Sequence, residues 1–189
     1  VLFRSAIRLR AHMVEMWELA DQAQDEMARR QLLTFVVAGG GITGVEVCSE
    51  LMHMFRNTLA RLYTQVPQSL VSVHLIEAGP RLLPPGIKDV HSQVAERHLR
   101  SLGVNIVLNR RVVAVEQDRV SLDDGGVIPA HTLIWTTGIR GQTVEKAWPW
   151  PLGRGGKLKV DASSRVSERV YAIGDIADCS DKNGQPVPA

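Results

Sequence analysis

Phe35-Val36-Val37-Ala38-Gly39-Gly40-Gly41-Ile42-Thr43-Gly44 is an apolar run followed by a glycine cluster, and it is the segment most informative about the fold. Residues 32–38 form a short continuous apolar run with β-branched side chains, which is typical of a strand covered on both faces in a parallel sheet. Three glycines follow at once in the spacing Gly39-x-Gly41-x-x-Gly44. We therefore expect a strand that runs directly into a glycine turn, as at the start of a dinucleotide-binding βαβ unit.

Each glycine in this spacing has its own physical reason. The first permits a tight turn, the second lets the backbone approach a pyrophosphate, and the third lets helix and strand pack closely. A helix that begins at the turn directs free N–H groups and a positive dipole end at the phosphates. A purely structural glycine turn is the alternative, and the strand before it and the helix after it favour nucleotide binding. The candidate binding residues are Gly39, Gly40, Gly41, Ile42, Thr43 and Gly44.

The residues after the glycines complete the unit. Apolar residues repeat every three or four positions from Val45 to Leu62, which predicts a helix of about six turns that ends before Pro67. Residues 71–77 then predict a second strand. Beyond it we expect a helix that begins at Asp89 and is stopped by Gly103, followed by a strand over 104–108.

The sequence from 112 to 128 predicts antiparallel strands. Residues 112–115, 120–122 and 127–128 are short β-prone runs, and the Asp-Asp-Gly-Gly turn at 123–126 predicts a hairpin or meander. Residues 133–136 predict a further, buried strand. The fold class is therefore α/β, a Rossmann-like parallel sheet with an antiparallel β-meander.

The sequence is predicted to divide into three segments. Apolar residues at helical spacing predict one amphipathic helix from Ser5 to about Met27, so residues 1–31 are interpreted as a connecting helix and 32–150 as the nucleotide-binding domain. Residues 148–156 are rich in Pro and Gly and predict a loop or domain boundary. A second glycine fingerprint at 153–156 is disfavoured because no strand precedes it and no helix follows. Residues 151–189 contain a last strand, 170–173, directly before Gly174-Asp175.

Glu77 ends the predicted second strand, where this fold places an acid that accepts hydrogen bonds from the adenosine ribose. Its carboxylate would repel a 2′-phosphate, so the charge favours NADH over NADPH. Arg81 lies close enough in sequence to weaken that preference. The alternative is an ordinary solvated acid at a strand end.

Glu46 is the candidate catalytic residue. We interpret it as the second residue of the helix that follows Gly44, where a carboxylate complements the dipole without any further function. The functional interpretation places it near the nicotinamide, where it would influence protonation or the second substrate.

Composition excludes several classes of function. The net charge is +2 with mixed signs, which argues against a nucleic-acid partner. Cys48 and Cys179 are isolated, which argues against a zinc site or a redox Cys-x-x-Cys pair and favours a reducing compartment. The six histidines lack metal-ligand spacing, so no metal site is predicted. The chain also has no apolar run long enough to cross a membrane and no Gly-x-Ser-x-Gly hydrolase elbow.

Four segments together resemble the flavoproteins with two dinucleotide-binding domains: 35–46, 75–84 (Leu-Ile-Glu-Ala-Gly-Pro-Arg-Leu-Leu-Pro), 135–138 (Trp-Thr-Thr-Gly) and 171–175 (Tyr-Ala-Ile-Gly-Asp). Within that superfamily, Gly-x-Thr-Gly-Val-Glu looks most like the type II NADH dehydrogenases, single-subunit NADH:quinone oxidoreductases. Thr136 stands where alanine is common and Ile42 where proline is common; both substitutions keep a small or apolar residue.

The resemblance implies how the cofactors bind. Gly39, Gly41, Gly44 and Glu77 would bind NADH, Thr137 and Gly138 would lie along its nicotinamide side, and Gly174 and Asp175 would belong to an FAD site. This family has a first glycine fingerprint for the ADP half of FAD, and nothing before Leu32 supplies one. The chain is therefore expected to be an excised section, with the NADH domain and a C-terminal strip of the FAD domain, that binds FAD weakly or not at all.

The resemblance also implies a place and a set of partners. The full-length protein would pass hydride from NADH to FAD and electrons to a quinone, and it would be cytoplasmic and peripheral on the inner face of the membrane. Contact with the membrane surface would be made only through regions outside this chain, and a homodimer is left open. Two alternatives remain at this point. One is another flavoprotein of the superfamily, such as a ferredoxin reductase, an NADH oxidase or a disulfide reductase. The other is a non-catalytic NADH-sensing module, and the resemblance of residues 171–175 to a flavin site argues against it.

Overall fold

The computed structural model of the protein describes residues 2–84, 86–138, 149–181 and 184. The chain divides into two compact units, 1–137 and 138–189. This division falls earlier than the domain boundary predicted after residue 150, and residues 1–31 belong to the first unit.

Two helices precede the first strand. They are α1, Leu2–Gln22, and α2, Glu26–Leu32. The prediction of a single helix to Met27 is wrong at its end because Asp25 starts a new helix, its carboxylate accepting a hydrogen bond from the Ala28 N–H at 2.8 Å. The apolar stripe of α1 is buried as expected, with Trp17 fully enclosed.

A four-stranded parallel sheet forms the centre of the first unit. Its strands are β1 (Thr34–Ala38), β2 (Ser72–Glu77), β3 (Asn105–Leu108) and β7 (Thr132–Trp135), in the order β3-β2-β1-β7. Every residue of β1 is buried. Phe35 and Val37 pack into the larger core with α1 and the helix after the glycines, and Val36 packs into a second core on the other face. The predicted two-sided burial of this strand is confirmed.

The helix after the glycine turn has three parts. These are α3 (Ile42–Met54), a π-helical turn (Phe55–Leu59) and α4 (Ala60–Leu62). Helical structure thus ends before Pro67, as predicted, but the wider π turn was not foreseen. A short 3₁₀ turn, Gln68–Leu70, leads into β2. The next helix, α5 (Asp89–Ser101), begins where predicted, and Gly103 follows it with φ of 81°.

The predicted meander is confirmed as a three-stranded antiparallel sheet. Its strands, in spatial order, are β4 (Val112–Val115), β5 (Arg119–Leu122) and β6 (Val127–Pro129). Val120 and Leu122 pack with Val36 and Ile76, so the meander covers the second face of the parallel sheet. The α/β fold class with both sheet types is therefore confirmed. The strand at 133–136 is less buried than expected, since the side chain of Trp135 is 58% exposed.

The second unit is built from short strands. They are β8 (Leu158–Lys159), β9 (Arg165–Ser167), β10 (Val170–Tyr171) and β11 (Ala177–Asp178), with 3₁₀ turns at Arg154–Gly156 and Gly174–Ile176. The strand predicted over 170–173 is only two residues long and pairs with β9, and Ile173 is 77% exposed. The glycine-rich stretch at 153–156, predicted as a loop, contains the 3₁₀ turn at Arg154–Gly156. Among the described helices, none has the length and apolar character needed to cross a membrane.

Candidate nucleotide-binding site

The glycine turn lies beyond the carboxyl end of β1, and its first and third glycines have the conformations that their spacing predicts. Gly39 has φ of 111°, a region that residues with a side chain rarely adopt. A Cβ at Gly44 would overlap the carbonyl oxygen of Gly39. Helix and turn therefore touch through backbone atoms at this point, which is the close packing expected of the third glycine.

Gly41 is different because an added Cβ would meet no atom within 4 Å. It is the N-cap residue of α3 and makes no side-chain cap hydrogen bond, so the first turn at 42–44 directs N–H groups without a side-chain acceptor toward the turn. Ile42 and Thr43 are exposed there. Open space beside uncapped N–H groups at the positive end of a helix dipole is the arrangement that accepts a phosphate.

Glu77 holds the turn rather than lying free at its strand end. One carboxylate oxygen, Oε2, accepts the Gly40 N–H at 2.6 Å, and the other, Oε1, accepts the Gly79 N–H at 2.6 Å. Each carboxylate oxygen has two acceptor positions, so one on each oxygen remains for a hydroxyl donor. The interpretation of Glu77 as a merely solvated acid does not account for these bonds.

The loop that follows β2 is tied to the glycine turn and to its neighbours. Leu83 N–H donates to the Gly40 carbonyl at 2.8 Å, and Asn109 N–H donates to the Gly79 carbonyl at 3.0 Å. The buried hydroxyl of Ser92 donates to the Leu82 carbonyl at 2.7 Å. The backbone is therefore held at Gly79 and at Leu82 and Leu83, on both sides of Arg81.

Arg81 extends from this loop toward the start of α5. Its Nη1 donates to the Ile87 carbonyl at 3.1 Å and lies 3.2 Å from Oδ1 of Asp89. The Arg81 side chain is 31% exposed and that of Asp89 is 80% exposed. The guanidinium is thus bound to groups of the helix start.

Thr136 is a site residue that the sequence did not single out. Its hydroxyl lies 2.9 Å from the Ala38 carbonyl and 3.1 Å from the Gly39 carbonyl, and its N–H donates to the Ala38 carbonyl at 2.9 Å. A Cβ at Gly39 would lie 2.9 Å from the Thr137 methyl, so both threonines adjoin the turn. The alanine common at position 136 in the resembling family has no hydroxyl for these contacts, which is a signal that could have identified Thr136.

Glu46 differs from its predicted setting. Glu46 is the fifth residue of α3, because the helix begins at Ile42, so its carboxylate lies beyond the first turn and the predicted position as second residue is wrong. Its side chain is exposed. Its carboxylate makes no hydrogen bond or ion pair with the residues that the structure describes, and its catalytic role stays a prediction.

Gly138, Gly174 and Asp175 belong to the second unit. Gly138 and Gly174 have φ of 71° and 70°, and an added Cβ would meet nothing within 4 Å of either. Asp175 is exposed in the 3₁₀ turn that starts at Gly174. Two open backbone positions and an exposed acid are compatible with a ligand that approaches the main chain.

Burial changes the chemistry of two side chains near the sheet. It raises the pKa of the Cys48 thiol on α3 to about 12, so that thiol stays protonated. It also lowers the pKa of His74 on β2, whose Nε2 lies 2.9 Å from the Ser72 hydroxyl. Neither side chain is part of the turn, and both are structural.

Comparison with known proteins agrees with this geometry. Residues 8–189 match the family described as pyridine nucleotide-disulphide oxidoreductase. A probable NADH dehydrogenase of Dictyostelium discoideum is 33% identical over 96% of this chain and 41% of its own length. A type II NADH:quinone oxidoreductase of Haemophilus influenzae is 29% identical over 89% of this chain and 38% of its own length.

Solved structures share the fold. NDH2 from Plasmodium falciparum, solved in complex with NADH, has a TM-score of 0.79 and 24% identity, covering 92% of this chain and 38% of that one. An NAD-dependent persulfide reductase from A. fulgidus has a TM-score of 0.64 and 28% identity, covering 93% of this chain and 29% of that one. The chain thus spans about two fifths of the length of the two curated relatives.

The resemblance to type II NADH dehydrogenases predicted from the four sequence segments is confirmed by these relatives. With the glycine turn, the uncapped helix start and the strand order in place, the match across residues 8–189 shows that this chain belongs to the pyridine nucleotide-disulphide oxidoreductase family.

Proposed function

We propose that this chain is the NADH-binding portion of an FAD-dependent NADH:quinone oxidoreductase. The observation that carries the proposal is the open space at Gly41 beside the uncapped N-terminus of α3. A pyrophosphate needs both a close approach to the backbone and unpaired N–H donors, and this position offers both. The names of the relatives from Dictyostelium and Haemophilus support the same assignment.

The chain's own residues bind and orient the dinucleotide. N–H groups of residues 42–44 would hold the pyrophosphate, and the free acceptor positions of Glu77 would receive the ribose hydroxyls. Thr136 keeps the turn in its binding conformation by its contacts to two carbonyls. Thr137 and Gly138 would lie along the nicotinamide side, as the resemblance implies.

Gly174 and Asp175 are proposed to contribute to an FAD site in the full-length protein. FAD supplies the two-electron chemistry that accepts hydride from NADH and delivers electrons to a quinone. No side chain of this chain is required as an acid or base for the hydride step. Placement on the inner face of the membrane and a homodimer, the remaining implications of the resemblance, stay predictions.

Two measurements test the proposal. Isothermal titration of the 189-residue chain with NADH should show one site per chain, and heat no greater than dilution would contradict NADH binding. The full-length protein should purify with flavin and reduce a soluble quinone analogue when NADH is added. Flavin-free protein that binds NADH but transfers no electrons would instead identify a sensing module.

A further inference from the structure

Two charged side chains besides Glu77 lie near the end of β2, Arg81 and Asp89. The fold places the adenosine ribose at the acid that ends β2, and an arginine nearby is the group that accommodates a 2′-phosphate in NADP-dependent proteins. Arg81 is four positions after Glu77 in the loop that follows that strand. Its side chain, however, is bound to the start of α5 through Asp89 and the Ile87 carbonyl.

Hydrogen bonds hold the backbone on both sides of Arg81, so its side chain is the part expected to change direction. Gly79 is held through its N–H by Glu77 and through its carbonyl by Asn109. Leu82, fully buried, is held by Ser92. The Arg81 guanidinium has two alternative partners, the Asp89 carboxylate and a phosphate beside the ribose. The same N–H donors cannot bind both at once.

We propose, on the basis of the NADH-binding function above, that Asp89 is a specificity-determining residue that withholds Arg81 from the 2′-phosphate of NADPH. Asp89 acts through Arg81, because its Oδ1 pairs with Nη1 of the guanidinium at 3.2 Å and so competes with a phosphate for that group. Glu77 repels the phosphate directly, whereas Asp89 removes the cation that would compensate.

The test is Asp89→Asn, measured by isothermal titration of the 189-residue chain with NADH and with NADPH. We expect the affinity for NADPH to rise about fivefold, the upper range for a solvent-exposed ion pair, and the affinity for NADH to change less than about twofold. Glu96→Gln is the matched control. It removes the same charge from the same helix and releases Arg100, to which Glu96 is paired at 2.8 Å, without affecting Arg81. It should leave both affinities unchanged.

Two further variants assign the effect to Arg81. Arg81→Gln alone should change the preference little, because the side chain is already withheld, and the double variant Asp89→Asn/Arg81→Gln should lose the gain in NADPH affinity. An unchanged ratio in a folded Asp89→Asn variant, or a gain that survives loss of Arg81, would overturn the inference. If NADH binds and only Glu77→Gln alters the ratio, the inference about Asp89 fails while the proposed function stands. If NADH does not bind the unmodified chain, both fail.

Discussion

Replacing Gly41 with valine is expected to remove most NADH binding while leaving the fold intact. The backbone at Gly41 has φ of −69° and ψ of −177°, an extended conformation that valine adopts readily. An added Cβ meets no atom within 4 Å, so the first carbon of the new side chain fits without a shift in the backbone. The valine methyl groups would instead occupy the space through which a pyrophosphate reaches the N–H groups of α3.

The structure allows both effects to be estimated. The stability cost is that of a poorer N-cap residue, less than about 1 kcal/mol, which lowers Tm by about 2–4 °C for a chain of this size. The binding cost is the loss of at least one charge-assisted hydrogen bond to phosphate, about 1.5–3 kcal/mol, or about a 10- to 100-fold weaker Kd.

The assay combines thermal unfolding by circular dichroism with NADH titration, and Gly44→Ala is the contrasting variant. A Cβ at Gly44 overlaps the Gly39 carbonyl, so this smaller change should cost about 1–3 kcal/mol of stability as well as binding. If Gly41→Val binds NADH with unchanged Kd and an intact fold, the placement of the pyrophosphate at this turn is refuted. If Gly44→Ala instead proves the more stable of the two variants, the close backbone packing of Gly44 against Gly39 is refuted.

Three other outcomes are expected. Thr136→Val keeps the shape of the side chain and removes the hydroxyl near the Ala38 and Gly39 carbonyls. It should lower the free energy of unfolding in urea by about 1 kcal/mol and weaken NADH binding several-fold. No change in either quantity would show that the hydroxyl contacts are dispensable. In native protein at pH 8 a thiol reagent should modify the half-buried Cys179 quickly and Cys48 only after unfolding, because burial raises the pKa of Cys48 to about 12; rapid reaction of both thiols would contradict this. Burial holds the pKa of His74 below its ordinary value, so the unfolded chain binds its proton first and the free energy of unfolding should fall as pH drops below about 6.5. His74→Gln should flatten that slope between pH 7 and 5.5, and an unaltered slope would assign it to other groups.

The βαβ unit was predicted well because each of its sequence patterns depends on interactions between residues close together in the chain. A run of apolar β-branched residues can be satisfied only by burial on both faces, and β1 is buried along its whole length. Gly39 has a positive φ, which residues with a side chain rarely adopt, and Gly44 touches backbone atoms that leave no room for a Cβ. Gly103 ends α5 for the same kind of reason.

Helix boundaries were less predictable because capping competes with periodicity. The apolar repeat of the N-terminal helix continues past Gln22, but the Asp25 carboxylate stabilises a new helix start and divides the segment. In the same way α3 begins at Ile42, before the third glycine, which moves Glu46 beyond the first turn. The π turn at Phe55–Leu59 has no signal in the spacing of apolar residues.

Residue types at fixed local spacing were enough to predict the glycine turn after β1, the acid at the end of β2 and the family. The contacts of those residues became known only from the folded chain. Glu77 bonds to Gly40 and Gly79, Thr136 lies against the turn directly after β7 and about a hundred positions away, and Arg81 is bound by Asp89 on another element. These contacts join residues that the parallel sheet and its crossovers bring to one edge, and no local pattern specifies which side chains meet there.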